Sequence, residues 1–373
     1  MYQKVMSAAL IVSVAMAGFV LSPGIYAKSK KSKKQPVCEQ TAKLMYSACK
    51  SDSRDDLNTT LANCLNILDG EESKNCQQEA RAVRKEEGET CKDVRAARED
   101  VCEILAEEIY DPDPLLDPAN IFIDPDDVPG IYPPNPYVSV AAGHTYVLRA
   151  GEDGEETVIV HVTENSREIQ GALCRVVVDI VVEVEEEDGE IEYTAVEVTD
   201  DWFAQDTLGN VYYCGEIARN FEDGVLRDLD GSFEAGIEFA KAGLLSRAFP
   251  VPGDVDRQEF SLGEAEDIIQ YVDLNAIPET DNDNFPCAPS GCLKTLEFAP
   301  LEPESSEFKY YLPDIGFVLA VEMEDGEMTG EREELVCVGD SLAILESLAC
   351  EIDDLESLLE ELCKQAPEVF CEE

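Results

Sequence analysis

Hydrophobic residues recur every three or four positions after residue 37, which predicts two helices. Ala42, Met45 and Cys49 share one face of the first helix, and Cys76 and Ala80 share one face of the second. A stretch of turn composition around Gly70 separates the two segments. We therefore predict an antiparallel helical hairpin over residues 37–108.

The first six cysteines support this hairpin. Paired from the outside inward, they have a common midpoint at Gly70. An antiparallel hairpin requires such symmetry, because facing residues lie at equal distances from the turn. A helical pair with differently connected disulfides is the alternative. The predicted pairs are Cys38 with Cys102, Cys49 with Cys91, and Cys64 with Cys76.

From Tyr137 onward the apolar positions alternate with period two, which is typical of strands. The run from Cys174 to Val184 is rich in Val and Ile, and Asp-Gly dipeptides at 153–154 and 188–189 favour hairpin turns. We predict a mainly antiparallel β domain over residues 137–338, either a curled sheet or an open barrel. Residues 109–136, rich in Pro and Asp, are interpreted as a linker.

The C-terminal segment returns to helical spacing, and we predict an amphipathic helix over residues 339–373. Packing on its own chain and self-association through the apolar seam are both open. The predicted fold class is thus α+β: a disulfide-stapled helical hairpin, a β domain and a C-terminal helix. The seam residues are Leu345, Leu348, Ile352, Leu355, Leu359 and Leu362.

The N-terminus predicts export. Residues 1–27 combine Lys4, a short apolar run and the small residue Ala27, the pattern of a secretory signal peptide. The apolar run is too short to span a bilayer, and we expect no membrane span elsewhere. A basic tail over residues 28–36 is interpreted as solvated, with attachment to an anionic envelope polymer or a neighbouring copy as the alternative. An even number of cysteines, 14, agrees with a periplasmic or extracellular location.

Charge excludes one class of partner. The chain has 81 acidic and 28 basic residues, a formal net charge of −53. A nucleic-acid-binding surface needs Lys and Arg to contact phosphates, so we expect no nucleic-acid partner. A hydrophobic content of 44% is sufficient for a packed core.

Several motifs in the β domain resemble the core of a family of exported bacterial proteins. These are DWFAQD at 201–206, GNVYYCGE at 209–216, GEAED at 263–267, LEP at 301–303 and KYY at 309–311. The resemblance covers residues 135–321. It implies an exported β domain and no particular activity.

The resemblance also bears on disulfides in the β domain. Cys214 stands where an aromatic residue is commoner in the family, which implies an additional disulfide, from Cys174 to Cys214. Cys287 and Cys292 bracket a short loop that a local disulfide would close. The alternative joins Cys292 to Cys174.

Candidate binding residues lie in three of these motifs and in the RQE motif at 257–259. Polar side chains lie beside apolar strands, and the family resemblance places them near the segment of the only tryptophan. One interpretation is structural, with buried salt bridges and turn hydrogen bonds. The other is a binding site with the tryptophan as its wall. The residues are Trp202, Gln205, Asp206, Glu216, Arg257, Glu259, Glu264, Glu266 and Asp267.

Metal sites are weaker candidates. We expect no cofactor, and the alternative is calcium at two acidic loops that do not complete an EF-hand spacing. For copper, a two-residue turn would put His161 opposite Tyr146, with His144 one diagonal away, although ordinary strand residues are the alternative. The calcium candidates are Asp228, Asp230, Asp281 and Asp283.

Catalytic motifs give little support for an enzyme. The chain has neither a Gly-x-Ser-x-Gly motif nor a glycine-rich phosphate loop. We predict a non-enzymatic exported protein that binds or scaffolds. The rivals are a calcium- or copper-binding envelope protein and a hydrolase that uses Glu264, Glu266 and Asp267.

Overall fold

A computed structural model of the chain describes residues 36–371 except 108, 152–153, 188, 223, 279–285 and 325–326. The predicted signal peptide, nearly all of the predicted basic tail, and the calcium candidates Asp281 and Asp283 lie outside the described residues.

Two antiparallel helices open the described chain, α1 over Val37–Cys64 and α2 over Gly70–Leu105. Asp69 caps α2, since its Oδ1 atom accepts hydrogen bonds of 2.9 Å from the backbone N–H groups of Glu71 and Glu72. The stapled hairpin of the predicted fold class is therefore present. Its disulfides join Cys38 to Cys102, Cys49 to Cys91, and Cys64 to Cys76.

Antiparallel strands then form one large sheet. Its order is β10-β8-β5-β4-β3-β2-β1-β15-β14-β13-β12-β11-β9, with β6 and β7 also paired to β5. The strands are β1 Thr145–Ala150, β2 Glu156–Ile169, β3 Ala172–Glu187, β4 Glu190–Gln205, β5 Val211–Glu222, β6 Val225–Asp228, β7 Phe233–Glu234, β8 Lys241–Ser246, β9 Val255–Arg257, β10 Glu259–Phe260, β11 Ile268–Ala276, β12 Cys292–Phe298, β13 Ser305–Leu312, β14 Gly316–Glu324 and β15 Glu327–Gly339.

The sheet is nearly closed into a barrel, which confirms the predicted β architecture. Its two outermost strands, β9 and β10, are consecutive in the chain and separated only by Gln258. At this seam Gly243 of β8 lies directly against the backbone of Gln258, where an added Cβ atom would clash. A glycine is therefore needed for the two ends of the sheet to approach each other.

The C-terminal segment packs on the outside of the sheet. It contains α3 over Leu355–Gln365 and a single turn, α4, over Pro367–Phe370. Leu358 and Leu362 are buried in a cluster with side chains of the first four strands. Of the predicted seam, Leu345 and Leu362 are buried in this cluster and Leu348 is exposed. Partly buried against the same cluster are Ile352, Leu355 and Leu359.

The predicted C-terminal helix begins later than expected. Short 3-10 turns cover Leu342–Glu346 and Leu348–Cys350, and Glu351 has a left-handed φ of 52°. The disulfide from Cys337 to Cys350 ties this stretch to β15. A continuous seam from residue 345 was thus a wrong prediction, because the covalent tie and the left-handed residue interrupt the helix.

The Pro- and Asp-rich segment at 109–136 lies against the barrel. Phe122 forms an isolated bridge with Asp206, and the N–H of Ile123 donates a 3.0 Å hydrogen bond to the carbonyl of Gln205. Leu115 and Ile123 are buried. This segment therefore adds to the core.

Two disulfides brace the β domain. Cys174 of β3 is joined to Cys214 of β5, and Cys287 is joined to Cys292.

Candidate functional site

Acidic side chains project from three neighbouring strands into the barrel. In the ladder of β3, β4 and β5, Val177 lies opposite Asp201, which in turn lies opposite Glu216, and Asp179 lies opposite Thr199. Because opposed residues share a face of the sheet and alternate residues return to it, Asp179, Asp201 and Glu216 all point inward.

A tyrosine links two of these acids. The hydroxyl of Tyr213 contacts a carboxylate oxygen of Asp201 very closely and lies 2.9 Å from Oε2 of Glu216. A phenol has one proton, so a proton on one of the carboxyls completes the second hydrogen bond. Burial raises the pKa of Asp201 to about 7, and burial together with the charge of Asp201 raises the pKa of Glu216 to about 8. The group therefore holds protons near neutral pH.

Two further acids extend this group towards the seam of the barrel. Burial and the neighbouring Asp267 raise the pKa of Glu259 well above its usual range. Burial raises the pKa of Asp267 itself to about 6, against the opposing effect of Lys309.

Lys309, on β13, is a cation that faces this acidic interior and, among the described residues, lines the cavity between the strands. Its Nζ atom lies 3.2 Å from Glu297 and 3.2 Å from Glu307. The Tyr311 hydroxyl donates a 2.9 Å hydrogen bond to Glu297. Burial raises the pKa of Glu333 to about 7, with the charge of Lys309 acting in the opposite direction. Lys309 is thus already paired with two carboxylates.

A cavity of about 240 Å³ opens between these groups. Its wall is mainly apolar and aromatic, and its charged lining consists of Asp179, Lys309 and Glu333. The apolar and aromatic lining comprises Tyr137, Val138, Tyr146, Leu148, Val160, Val162, Val177, Phe203, Leu245, Tyr311 and Phe317.

Asp179 differs from the other acids of the interior. Its Oδ1 atom is buried and has no hydrogen-bond partner among the residues that the structure describes. Burial and the charges of Asp201 and Glu333 raise the pKa of Asp179 well above its usual range. A buried acceptor without a donor is rare in folded proteins, and this one lines a cavity.

Three of the nine predicted binding residues have structural contacts around a turn and on the outer face. The guanidinium of Arg167 stacks on the buried ring of Trp202 at 4.2 Å. Gln205 donates to the carbonyl of Pro133, and Asp206 accepts from the backbone N–H groups of the turn that follows β4. Trp202 is therefore not among the residues that line the cavity.

Two others pair with the N-terminal region. Arg257 forms an ion pair with Glu107, and Glu266 forms one with Arg98 of α2. Glu264 is exposed. The remaining three, Glu216, Glu259 and Asp267, belong to the acidic interior described above.

Sequence reasoning missed several site residues, namely Asp179, Asp201, Tyr213, Lys309 and Glu333. One signal for Asp179 was present, since it is a lone charge within a run of Val and Ile from 176 to 182. Such a run predicts a strand buried on both faces, where an unpaired acid is costly.

The predicted metal residues do not converge. The loop after β1 holds five residues, so His161 lies opposite Thr145, and the expected register with Tyr146 was wrong. His161 Nδ1 is 2.9 Å from the Thr145 hydroxyl. The ring of His144 packs instead on the ring of Tyr146, and Tyr146 points to the opposite face of β1 from Thr145.

Asp228 accepts a hydrogen bond from Asn220, and the carbonyl of Asp230 accepts one from the same side chain. Within the described ranges, no group of three or more His, Cys, Asp or Glu side chains is arranged to hold a metal ion. Calcium binding stays a prediction. None of the helices in the same ranges has an apolar stretch long enough to cross a membrane.

Comparisons with known proteins do not assign a family to this chain. No family model matches the chain, and no curated protein matches it. The chain is similar to a solved structure from Bacteroides fragilis, a candidate exported protein with a YMCC-like fold, at 15% identity. The match covers 53% of this chain and 96% of that one, with a TM-score of 0.28. A likeness at this level assigns neither a fold nor a function, so the family resemblance stays a prediction.

Proposed function

We propose that this chain is an exported, non-enzymatic binding protein and that its β domain holds a small, largely apolar ligand inside the barrel. The observation that carries this proposal is the cavity of about 240 Å³ with apolar and aromatic walls and a few charged groups. Ligand sites in proteins have this composition, and the mouths of β-barrels are a common place for them. The volume exceeds the roughly 150 Å³ of an engineered protein cavity that binds benzene.

Export is supported by the cysteines. All fourteen form disulfides in the structure, and disulfides persist in oxidising compartments outside the cytoplasm. The disulfide-stapled hairpin is joined to the barrel through the buried ion pair of Arg98 and Glu266. We assign to it a supporting role at the seam of the barrel.

Ligand-observed saturation-transfer NMR tests the proposal. The probe is 2-phenylethanol, an aromatic molecule small enough for the cavity. The test variant is Val160→Phe, which fills part of the cavity, and the matched control is Val251→Phe, the same substitution at a side chain that is 56% exposed.

We expect saturation transfer with the unmodified mature protein and with the control, and its loss with Val160→Phe. No transfer to the probe, or equal transfer with both variants, would contradict the proposal. Near-ultraviolet circular dichroism establishes that each variant is folded.

A further inference from the structure

Two charged residues that line the cavity, Asp179 and Lys309, differ in how their polar atoms are paired. Asp179 Oδ1 is a buried acceptor that lacks a donor among the described residues, whereas Lys309, in the same cavity wall, already contacts Glu297 and Glu307. The cavity therefore offers an unfilled acceptor, whereas the cation in its lining is already paired with two carboxylates. A ligand that supplies a donor at this point would complete the hydrogen bonding of the site.

Charge favours a cationic donor over a neutral one. Besides Asp179, the cavity wall contains Glu333, and Asp201 lies one pleat away from Asp179 on the same inner face. With Lys309 shared between two further acids, the surroundings carry an excess of acidic groups. A cationic ligand would be stabilised by the ionised forms of these acids, whereas an anionic ligand would keep them protonated and gain no attraction from them.

The aromatic walls suit the same ligand. Tyr146, Phe203 and Phe317 line the same cavity as these charged groups. Aromatic faces attract cations and pack well against an apolar ligand body.

From these observations, and resting on the proposed binding function, we infer that the ligand of the barrel is a small amine with an aromatic or aliphatic body. Its ammonium group donates a hydrogen bond to Asp179 Oδ1, and its apolar body lies among the aromatic and aliphatic walls. Asp179 is thus the residue that selects the class of ligand.

Calorimetric titration of the mature protein at pH 7 tests this inference with three matched probes. They are 2-phenylethylamine, 2-phenylethanol and 3-phenylpropionate, which share an aromatic body and differ in the charge of the polar group. We expect the amine to bind at least tenfold more tightly than the alcohol, because a charge-assisted hydrogen bond is stronger than a neutral one. The carboxylate should bind more weakly than the alcohol.

The variant Asp179→Asn removes the charge and keeps the shape of the side chain. We expect it to bind the amine and the alcohol with affinities within about threefold of each other. The matched control is Glu185→Gln, at an exposed acid on the same strand, which should keep the tenfold preference. Retained binding of the alcohol by Asp179→Asn establishes that its cavity is intact.

A second readout is proton release. Burial raises the pKa of Asp179, so an ammonium group that binds its ionised form should displace a proton, and the heat of amine binding should then differ between two buffers with different ionisation enthalpies. Asp179→Asn should abolish that difference, which separates Asp179 from the nearby acids Glu333 and Asp201.

Equal affinities of the amine and the alcohol for the unmodified protein would overturn the inference while leaving the proposed function standing. A tenfold preference that persists in Asp179→Asn would overturn the assignment to this residue. If none of the probes bound, the proposed function and this inference would both fail.

Discussion

The helical hairpin and the barrel are held together in opposite ways. Few side chains of α1 and α2 are buried, and large apolar residues such as Leu44, Leu65 and Leu68 are exposed. Three disulfides cross the hairpin along its length. The barrel has extensive apolar clusters on its strands, yet it places acids in its interior.

This contrast shows that the two regions differ in how much stability their buried apolar surface provides. A pair of helices with a thin core depends on covalent links, because it buries too little apolar surface to offset the conformational entropy of ordering. A large sheet core tolerates the cost of an acidic, partly unsatisfied interior. Binding sites commonly sacrifice stability in this way, which is why we place the function in the barrel.

The largest effect is expected from removing the staples of the hairpin. Replacing all six cysteines between Cys38 and Cys102 with serine should unfold both helices, because each disulfide contributes roughly 2–4 kcal/mol. Circular dichroism at 222 nm should lose most of its helical signal, while the near-ultraviolet signal of Trp202 in the barrel persists.

The matched control is Cys287→Ser with Cys292→Ser, which opens a disulfide between residues only five positions apart. It should leave the helical signal unchanged. A hairpin that stayed helical without its three staples would show that its core suffices, against the contrast drawn above.

A smaller effect is expected at the junction of the two regions. Arg98 and Glu266 form an ion pair with side-chain exposures of 7% and 3%. Arg98→Met would leave Glu266 buried without its partner, and we expect a loss of about 3–5 kcal/mol in the free energy of unfolding. Urea denaturation measures it.

Arg95→Met is the matched control, since Arg95 pairs with Glu99 on the surface of the same helix and should cost no more than about 0.5 kcal/mol. Adding Glu266→Gln to Arg98→Met should recover part of the loss. Equal losses for Arg98→Met and Arg95→Met would mean that the hairpin is not anchored by this pair.

The smallest effect is expected from changing the pH by one unit, and it arises from acids inside the barrel. Asp201, Glu216 and Glu333 have pKa values near 7, 8 and 7, all raised above those of an unfolded chain. Their neutral forms favour the folded state, so this stability is complete at low pH and is lost as pH rises through these values. Between pH 6.5 and 8.5 the free energy of unfolding should fall by about 1–2 kcal/mol per pH unit.

Chemical denaturation at several pH values measures this slope. The range begins at 6.5 because burial lowers the pKa of His161 to about 4, so that His161 differs in protonation between the folded and unfolded states mainly below 6.5, where its effect on stability has the opposite sign. The double variant Asp201→Asn with Glu216→Gln should flatten the slope. Stability that rose with pH over this range would contradict an acidic interior held in its protonated form.

The two regions also differ in how far the sequence predicts them. The hairpin follows from local spacing, because cysteines placed symmetrically about Gly70 fix both the turn and the facing residues. The strands follow from their alternation and turns. Closure of the barrel depends on contacts such as Gly243 against Gln258, which no local pattern contains.

The interior site was harder to predict for the same reason. Asp179 and Lys309 lie 130 positions apart in the chain and share a cavity only because β3 and β13 face each other across the barrel. The acids that the motifs singled out divide instead among the interior, the surface and the hairpin junction. The sequence motifs identified polar residues of the domain, but the strand topology determines which of them lie inside the barrel.

A crystal structure of the mature protein soaked with 2-phenylethylamine tests the central claim most directly. The account predicts a ligand inside the barrel, with its nitrogen within hydrogen-bond distance of Asp179 Oδ1 and its ring between Tyr146 and Phe317. A barrel interior that contained only ordered water at a saturating amine concentration would contradict it.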